Sequence, residues 1–298
     1  MACIIDPRMP DDRPVLRIGH SPDPDDAFMW WPLSGPETGF DSGRFRYEPV
    51  PDDIEMLNRR AETGELEVTA LSCAHAARVS DTYALTSCGA SIGQAGGPKI
   101  VALKQVAPEQ LRSADAVLAV PGTRTSAFAA TSIMLGPGSF RHTVVPFDQI
   151  IGGVVAGEFT AGLVIHEGQL TFAEAGLHLV ADLGMWWSSH CGLPLPLGVN
   201  AVRHDLAERH GAGALAEINR DLRRCLEFAL EHRGEALAYA LRFARDLAPS
   251  LAEQFIDMYV NRWTLDLGSV GQAAVRTFLQ EIHKAGLGPD PGGVQFIA

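Results

Sequence analysis

Hydrophobic residues in this chain come in short runs, and each run ends in a polar loop that opens into a stretch with apolar positions three and four apart. LRIGH (Leu16 to His20) reads as a strand, stopped by SPDPDD before the apolar helix AFMWWPL. RFRYEPV (Arg44 to Val50) reads as a second strand. Ile54, Leu57 and Ala61 then share one face of a helix over DIEMLNRRAETGE (Asp53 to Glu65), and VTALS (Val68 to Ser72) is a third strand. Strands alternating with helices predict an α/β sheet whose ligands gather beyond the C-terminal ends of the strands.

The alternation restarts after a Gly-rich loop, GASIGQAGGP (Gly89 to Pro98). KIVALK (Lys99 to Lys104) is a strand that carries the chain out of the first unit. It is followed by the strand AVLAVP (Ala116 to Pro121), a helix over 125–135, the strand TVVPF (Thr143 to Phe147), a helix over 148–156 and the strand AGLVIH (Ala161 to His166). PLPLGVNAV (Pro194 to Val202) returns the chain, and 206–285 is helical with Gly and Pro breaks. The pattern predicts an α/β protein of two lobes, with a ligand cleft between them. Residues 1–103 and 197–298 form a discontinuous first lobe, and 104–196 an inserted second one. Two lobes joined by two crossing segments resemble the type II periplasmic-binding-protein fold, which serves transport, regulation and catalysis alike.

The composition supports this and narrows the partners. A chain of 298 residues, 46% hydrophobic and 20% charged, has the material for two lobes. Its formal net charge of −12, with the arginines scattered, repels polyanions, so nucleic acid is not an expected partner. A small anionic ligand must then be held by local donors such as helix N-termini and hydroxyls. The five cysteines are widely spaced and form no C-x-x-C pair, as expected of reduced thiols. The leader MACIIDPRMPDDRPV lacks the apolar core of a signal peptide, which points to the cytoplasm, and about its first dozen residues are expected to be loosely held. No apolar run reaches the roughly 20 residues of a membrane-crossing helix.

Four places carry candidate chemistry. SPDPDDAF (Ser21 to Phe28) is a helix start that Asp23 can cap, with Pro24 at the first helical position. Three aspartates exceed what one cap requires, and Asp26 is the candidate to point into the cleft. VPGTRTSAF (Val120 to Phe128) is either an ordinary cap at Thr123 or Thr125, or an anion cradle made of helix-start N–H groups and the Thr125 and Ser126 hydroxyls. Arg124 either reinforces that cradle or lies exposed. Ser72 ends a strand, as a cap or as a pocket residue. GLVIHEGQLTF (Gly162 to Phe172) delivers His166 to the end of a strand, where it is either a packed structural residue or a general base. No metal-ligand spacing, nucleotide-binding glycine pattern or nucleophile elbow occurs, so no metal or cofactor is expected.

HSPDPDDAFM, DDIEMLNRRAETGELEVTALS, CGASIGQAGGP, VPGTRTSAF, VPFDQIIGGVVAGEFTAGLVIHEGQLTF and LVADLGMWW with GLPLPLGVN together resemble the 1,4-dihydroxy-6-naphthoate synthase family, in consistent order from about Leu16 to Asp205. The resemblance implies a cofactor-free lyase of the futalosine route to menaquinone, which converts cyclic dehypoxanthine futalosine to 1,4-dihydroxy-6-naphthoate. It implies that His166 abstracts the proton that starts the cleavage, that Thr125 and Ser126 hold the substrate carboxylate, and that Asp26 and Ser72 line the pocket. Arg124 departs from the family pattern. Two other readings stand beside it: a chorismate dehydratase of the same pathway, disfavoured by the IHEGQ motif, and a solute-binding protein for a small carboxylate, which calls for an export signal.

Overall fold

The structure, a computed structural model, describes residues 12–93, 96–244 and 248–297. The leader before residue 12, with Cys3, lies outside them. The first sheet is built from β1 (Val15–His20), β2 (Arg46–Pro51), β3 (Val68–Ser72), β4 (Tyr83–Leu85) and β5 (Ser91–Gly93), with α1 (Pro24–Trp30) and α2 (Ile54–Glu62) between them. The second sheet holds β6 (Lys99–Ala102), β7 (Val117–Val120), β8 (Arg141–Val144), β9 (Ala161–Val164) and β10 (His178–Asp182). Its helices are α3 (Ser126–Leu135), α4 (Phe147–Val155) and α5 (Gly168–Thr171). After α6 (Leu183–Cys191), the long β11 (Leu195–Arg203) returns to the first sheet, so the fold has two lobes of the periplasmic-binding-protein type.

The first sheet has the order β2-β1-β3-β11-β4, with β5 also on β11, and the second the order β10-β6-β9-β7-β8. β1 runs parallel to β2 and β3, whereas β11 is antiparallel to β3, β4 and β5. The remaining chain is helical: α7 (Leu206–His210), α8 (Ala214–Glu231), α9 (Arg233–Ala240), α10 (Pro249–Tyr259), α11 (Arg262–Leu265) and α12 (Gly268–Lys284). α1 packs on α8, α9 and α10, while α12 packs on β11. Among the described residues, no helix is long and apolar enough to cross a membrane.

Three sequence expectations change. The Gly-rich loop contains a strand, β5, because Ile92 is fully buried and its backbone pairs with the start of β11. The strand expected over 143–147 ends at Val144: Pro146, which has no N–H to donate, stands at the cap of α4 instead. Finally, β6 pairs with β9 and β10, so the second sheet begins at Lys99 rather than at 104. The Lys99 ammonium lies 3.0 Å from Asp182 on the neighbouring strand and fixes that edge. Just before it the two crossing segments pass closely. A Cβ on Gly184 would sit 2.4 Å from the Gly96 carbonyl carbon, and one on Gly97 would sit 3.0 Å from the Gly184 nitrogen, so only glycine fits both segments.

Candidate functional site

Between the lobes lies a cleft with about 730 Å³ of empty space, part of it open to solvent. Ile54, Ile165, Leu197 and Phe255 supply apolar wall, and all five residues singled out from the sequence line it: Asp26, Ser72, Thr125, Ser126 and His166. They reach it from the ends of β1, β3, β7 and β9, where strands hand over to helices or turns.

His166 sits two residues past β9 with φ +50°, the only non-glycine residue at positive φ among the described residues. That left-handed geometry costs a β-carbon-bearing residue about 1–2 kcal/mol and needs surrounding contacts to hold it. Two such contacts are visible. The Phe147 ring packs against the imidazole at 4.8 Å with 74° between the planes, and Nδ1 lies 3.0 Å from Asp23 Oδ2 on the other lobe. Burial works against a charged imidazole here, but Asp23, with Glu167 and Asp25 beyond it, outweighs burial and holds the His166 pKa up at about 9.

The sequence makes Asp23 a candidate helix cap. It occupies the cap position of α1, yet its side chain makes no cap bond and instead accepts from the Ser21 hydroxyl and meets His166. Asp26 accepts from the Ser21 N–H at 2.8 Å. Burial, then the neighbouring Asp23, raises the Asp26 pKa to about 7 against that hydrogen bond, and burial with its two neighbours pushes Asp25 well above the carboxylate range. Ser72 is tied down by Asn58, whose Nδ2 donates to the serine Oγ at 3.0 Å and whose Oδ1 accepts from the Ser72 N–H at 2.9 Å.

The expected hydroxyl cradle is differently built. Thr125 caps α3, accepting from the Phe128 N–H at 3.1 Å and donating to the Gly122 carbonyl at 2.9 Å. The Ser126 hydroxyl donates to the Leu197 carbonyl at 2.7 Å and accepts from the Ala74 N–H at 3.1 Å, tying α3 to the first lobe. Both hydroxyls are therefore engaged within the protein. The Ser126 and Ala127 N–H groups remain as the helix-start donors beside the cleft. Arg124 turns away from them. Its Nη1 lies 3.1 Å from Glu55 and its Nε 3.0 Å from Glu62, while its N–H donates to Glu55 at 3.1 Å, so it bridges to α2 on the other lobe.

Sequence reasoning missed several lining or supporting residues. Asn58 carried a signal, as a polar residue on the apolar face shared by Ile54, Leu57 and Ala61. Gln169 lies in the IHEGQ motif, but Tyr259 carried no signal, because the hydrogen bond from its hydroxyl to Gln169 Oε1, at 2.8 Å, joins positions far apart in the chain. Asn200 lines the cleft and donates to the Gly89 carbonyl at 2.7 Å. Among the described residues no group of three or more His, Cys, Asp or Glu side chains is arranged to hold a metal ion.

A protein named 1,4-dihydroxy-6-naphtoate synthase from Thermus thermophilus is 38% identical over 279 residues, covering 93% of this chain and 97% of the relative. One of the same name from Streptomyces coelicolor is 35% identical, covering 93% and 96%. A crystal structure of an Archaeoglobus fulgidus protein superposes with a TM-score of 0.84 at 38% identity, covering 92% of this chain and 98% of that one. The alkanesulfonate-binding protein SsuA from Xanthomonas axonopodis shares the fold at a TM-score of 0.71 but only 12% identity, covering 95% and 99%. The family model described as menaquinone biosynthesis matches residues 16–284, and this chain belongs to that family.

Proposed function

We propose that the protein is a lyase that converts cyclic dehypoxanthine futalosine to 1,4-dihydroxy-6-naphthoate, with His166 as the base that starts the reaction. The observation that carries this reading is His166 itself: a backbone-strained histidine at the end of a strand, held by a carboxylate from the opposite lobe, in the cleft between the lobes. The two relatives that share this chain's length carry the name of that activity. Loss of the ribose-derived fragment leaves an aromatic ring, so the protein has to supply a base, an oriented substrate and exclusion of water. With Nδ1 turned to Asp23, Nε2 is the nitrogen that takes the substrate proton. The N–H groups of Ser126 and Ala127 at the positive end of α3 bind the substrate carboxylate, supplying the local attraction that a chain of charge −12 otherwise lacks. Ser72 and Asp26 meet the oxygens of the ribose-derived part.

His166→Asn tests the base assignment, since asparagine keeps hydrogen-bonding capacity and loses basicity. Turnover should fall by roughly two to four orders of magnitude, with substrate affinity measured by calorimetry retained. A folded variant that turns over at the wild-type rate returns His166 to a packing role. The pH profile follows from the same pairing. A base works only when deprotonated, so kcat/KM of the wild type rises with pH and levels off above about 9, not near neutrality as an unperturbed histidine would.

A further inference from the structure

We propose that Asp23 is the positioning residue for His166, reaching across the cleft from the first lobe to fix which imidazole nitrogen faces the substrate. This rests on His166 being the base. Three observations converge on the role. Asp23 has the extended backbone of a helix cap, φ −93° and ψ 156°, but its side chain leaves the helix start uncapped and goes to His166 Nδ1 at 3.0 Å. The Ser21 hydroxyl donates to the same aspartate oxygen, which steadies the carboxylate. On the other lobe, His166 has the positive φ that turns its ring toward this partner, and Phe147 packs on the ring edge.

The ionisable groups around the imidazole are Asp23, Asp25 and Asp26 from the start of α1 and Glu167 from its own segment. Of these only Asp23 lies within ion-pair distance of it among the described residues. A carboxylate on Nδ1 holds that proton in place, leaves Nε2 as the acceptor and stabilises the imidazolium formed when the substrate proton arrives. The two partners sit on different lobes, so parting the lobes separates the base from the group that orients it.

The test uses Asp23→Asn and Asp23→Ser in the full chain. Both residues are good helix caps, so α1 keeps its start, and the serine variant guards against a folding failure of the first. Nuclear magnetic resonance titration of labelled histidines, without substrate, should show the His166 inflection moving to lower pH by about one unit or more. With substrate, the plateau kcat should fall about a hundredfold, the inflection of kcat/KM should move to lower pH in parallel, and KM should change little. An unmoved titration in both variants overturns the positioning role and leaves His166 as the base. A change confined to KM overturns it as well. Failure of the base reading itself shows separately, as wild-type turnover in His166→Asn.

Discussion

Asp23, Asp25 and Asp26 follow one strand, and the structure separates them by what each carboxylate meets. Asp23 has an imidazolium partner across the cleft, Asp26 has a backbone N–H, and Asp25 is buried beside both. Burial of a carboxyl without a cation costs stability once it ionises. For Asp26, with its pKa raised to about 7, the sign is definite: the folded state holds the proton more tightly than the unfolded chain, and that contribution to stability is lost as pH rises from about 4 to 7. Asp26→Asn, which keeps an acceptor for the Ser21 N–H, should therefore raise the melting temperature more at pH 8 than at pH 5. An equal change at both values would show that Asp26 titrates normally. At this scale the sequence was half legible: the excess of aspartates marked a segment that lines the cleft, but which of them meets His166 depends on where the second lobe brings that residue, and spacing along β1 does not contain that.

At the scale of elements, the start of α3 shows how one short segment does several jobs. Thr125 caps the helix, Ser126 ties it to β11 and the first lobe, and Arg124 spans to α2. The sequence placed the helix start correctly because Thr followed by an apolar run is a local signal. It could not say that the Ser126 hydroxyl is consumed by Ala74 and Leu197, residues remote in the chain, or that Arg124 faces away from the cradle. β5 and β10 were missed for a related reason: strands of three and five residues take their stability from neighbours rather than from their own patterning. Exposed ion pairs contribute little singly, but Arg124 joins two carboxylates and a backbone contact across the cleft. Arg124→Gln is expected to loosen the approach of the lobes, seen as a larger radius of gyration in small-angle X-ray scattering of the substrate-free protein. An unchanged radius would confine Arg124 to a local contact.

For the molecule as a whole, the alternation of strands and helices made the two-lobed fold legible, because each lobe repeats a local pattern; the crossing point was misplaced to 104 because Lys99–Ala102 is apolar enough to pair in either sheet. The lobes meet through His166 with Asp23, Gln169 with Tyr259, and Arg124 with Glu55 and Glu62, so the walls of the cleft are completed only when both lobes are in place. The same architecture serves an alkanesulfonate-binding protein, and on the proposed reading the difference lies in His166 acting as a base beside the cleft. The direct measurement is incubation of the purified full chain with cyclic dehypoxanthine futalosine, without added cofactor, followed by mass detection of the products. The expected product is 1,4-dihydroxy-6-naphthoate, formed faster as pH rises toward about 9. Recovery of the compound unchanged, whether bound or free, or consumption of chorismate in its place, would contradict it.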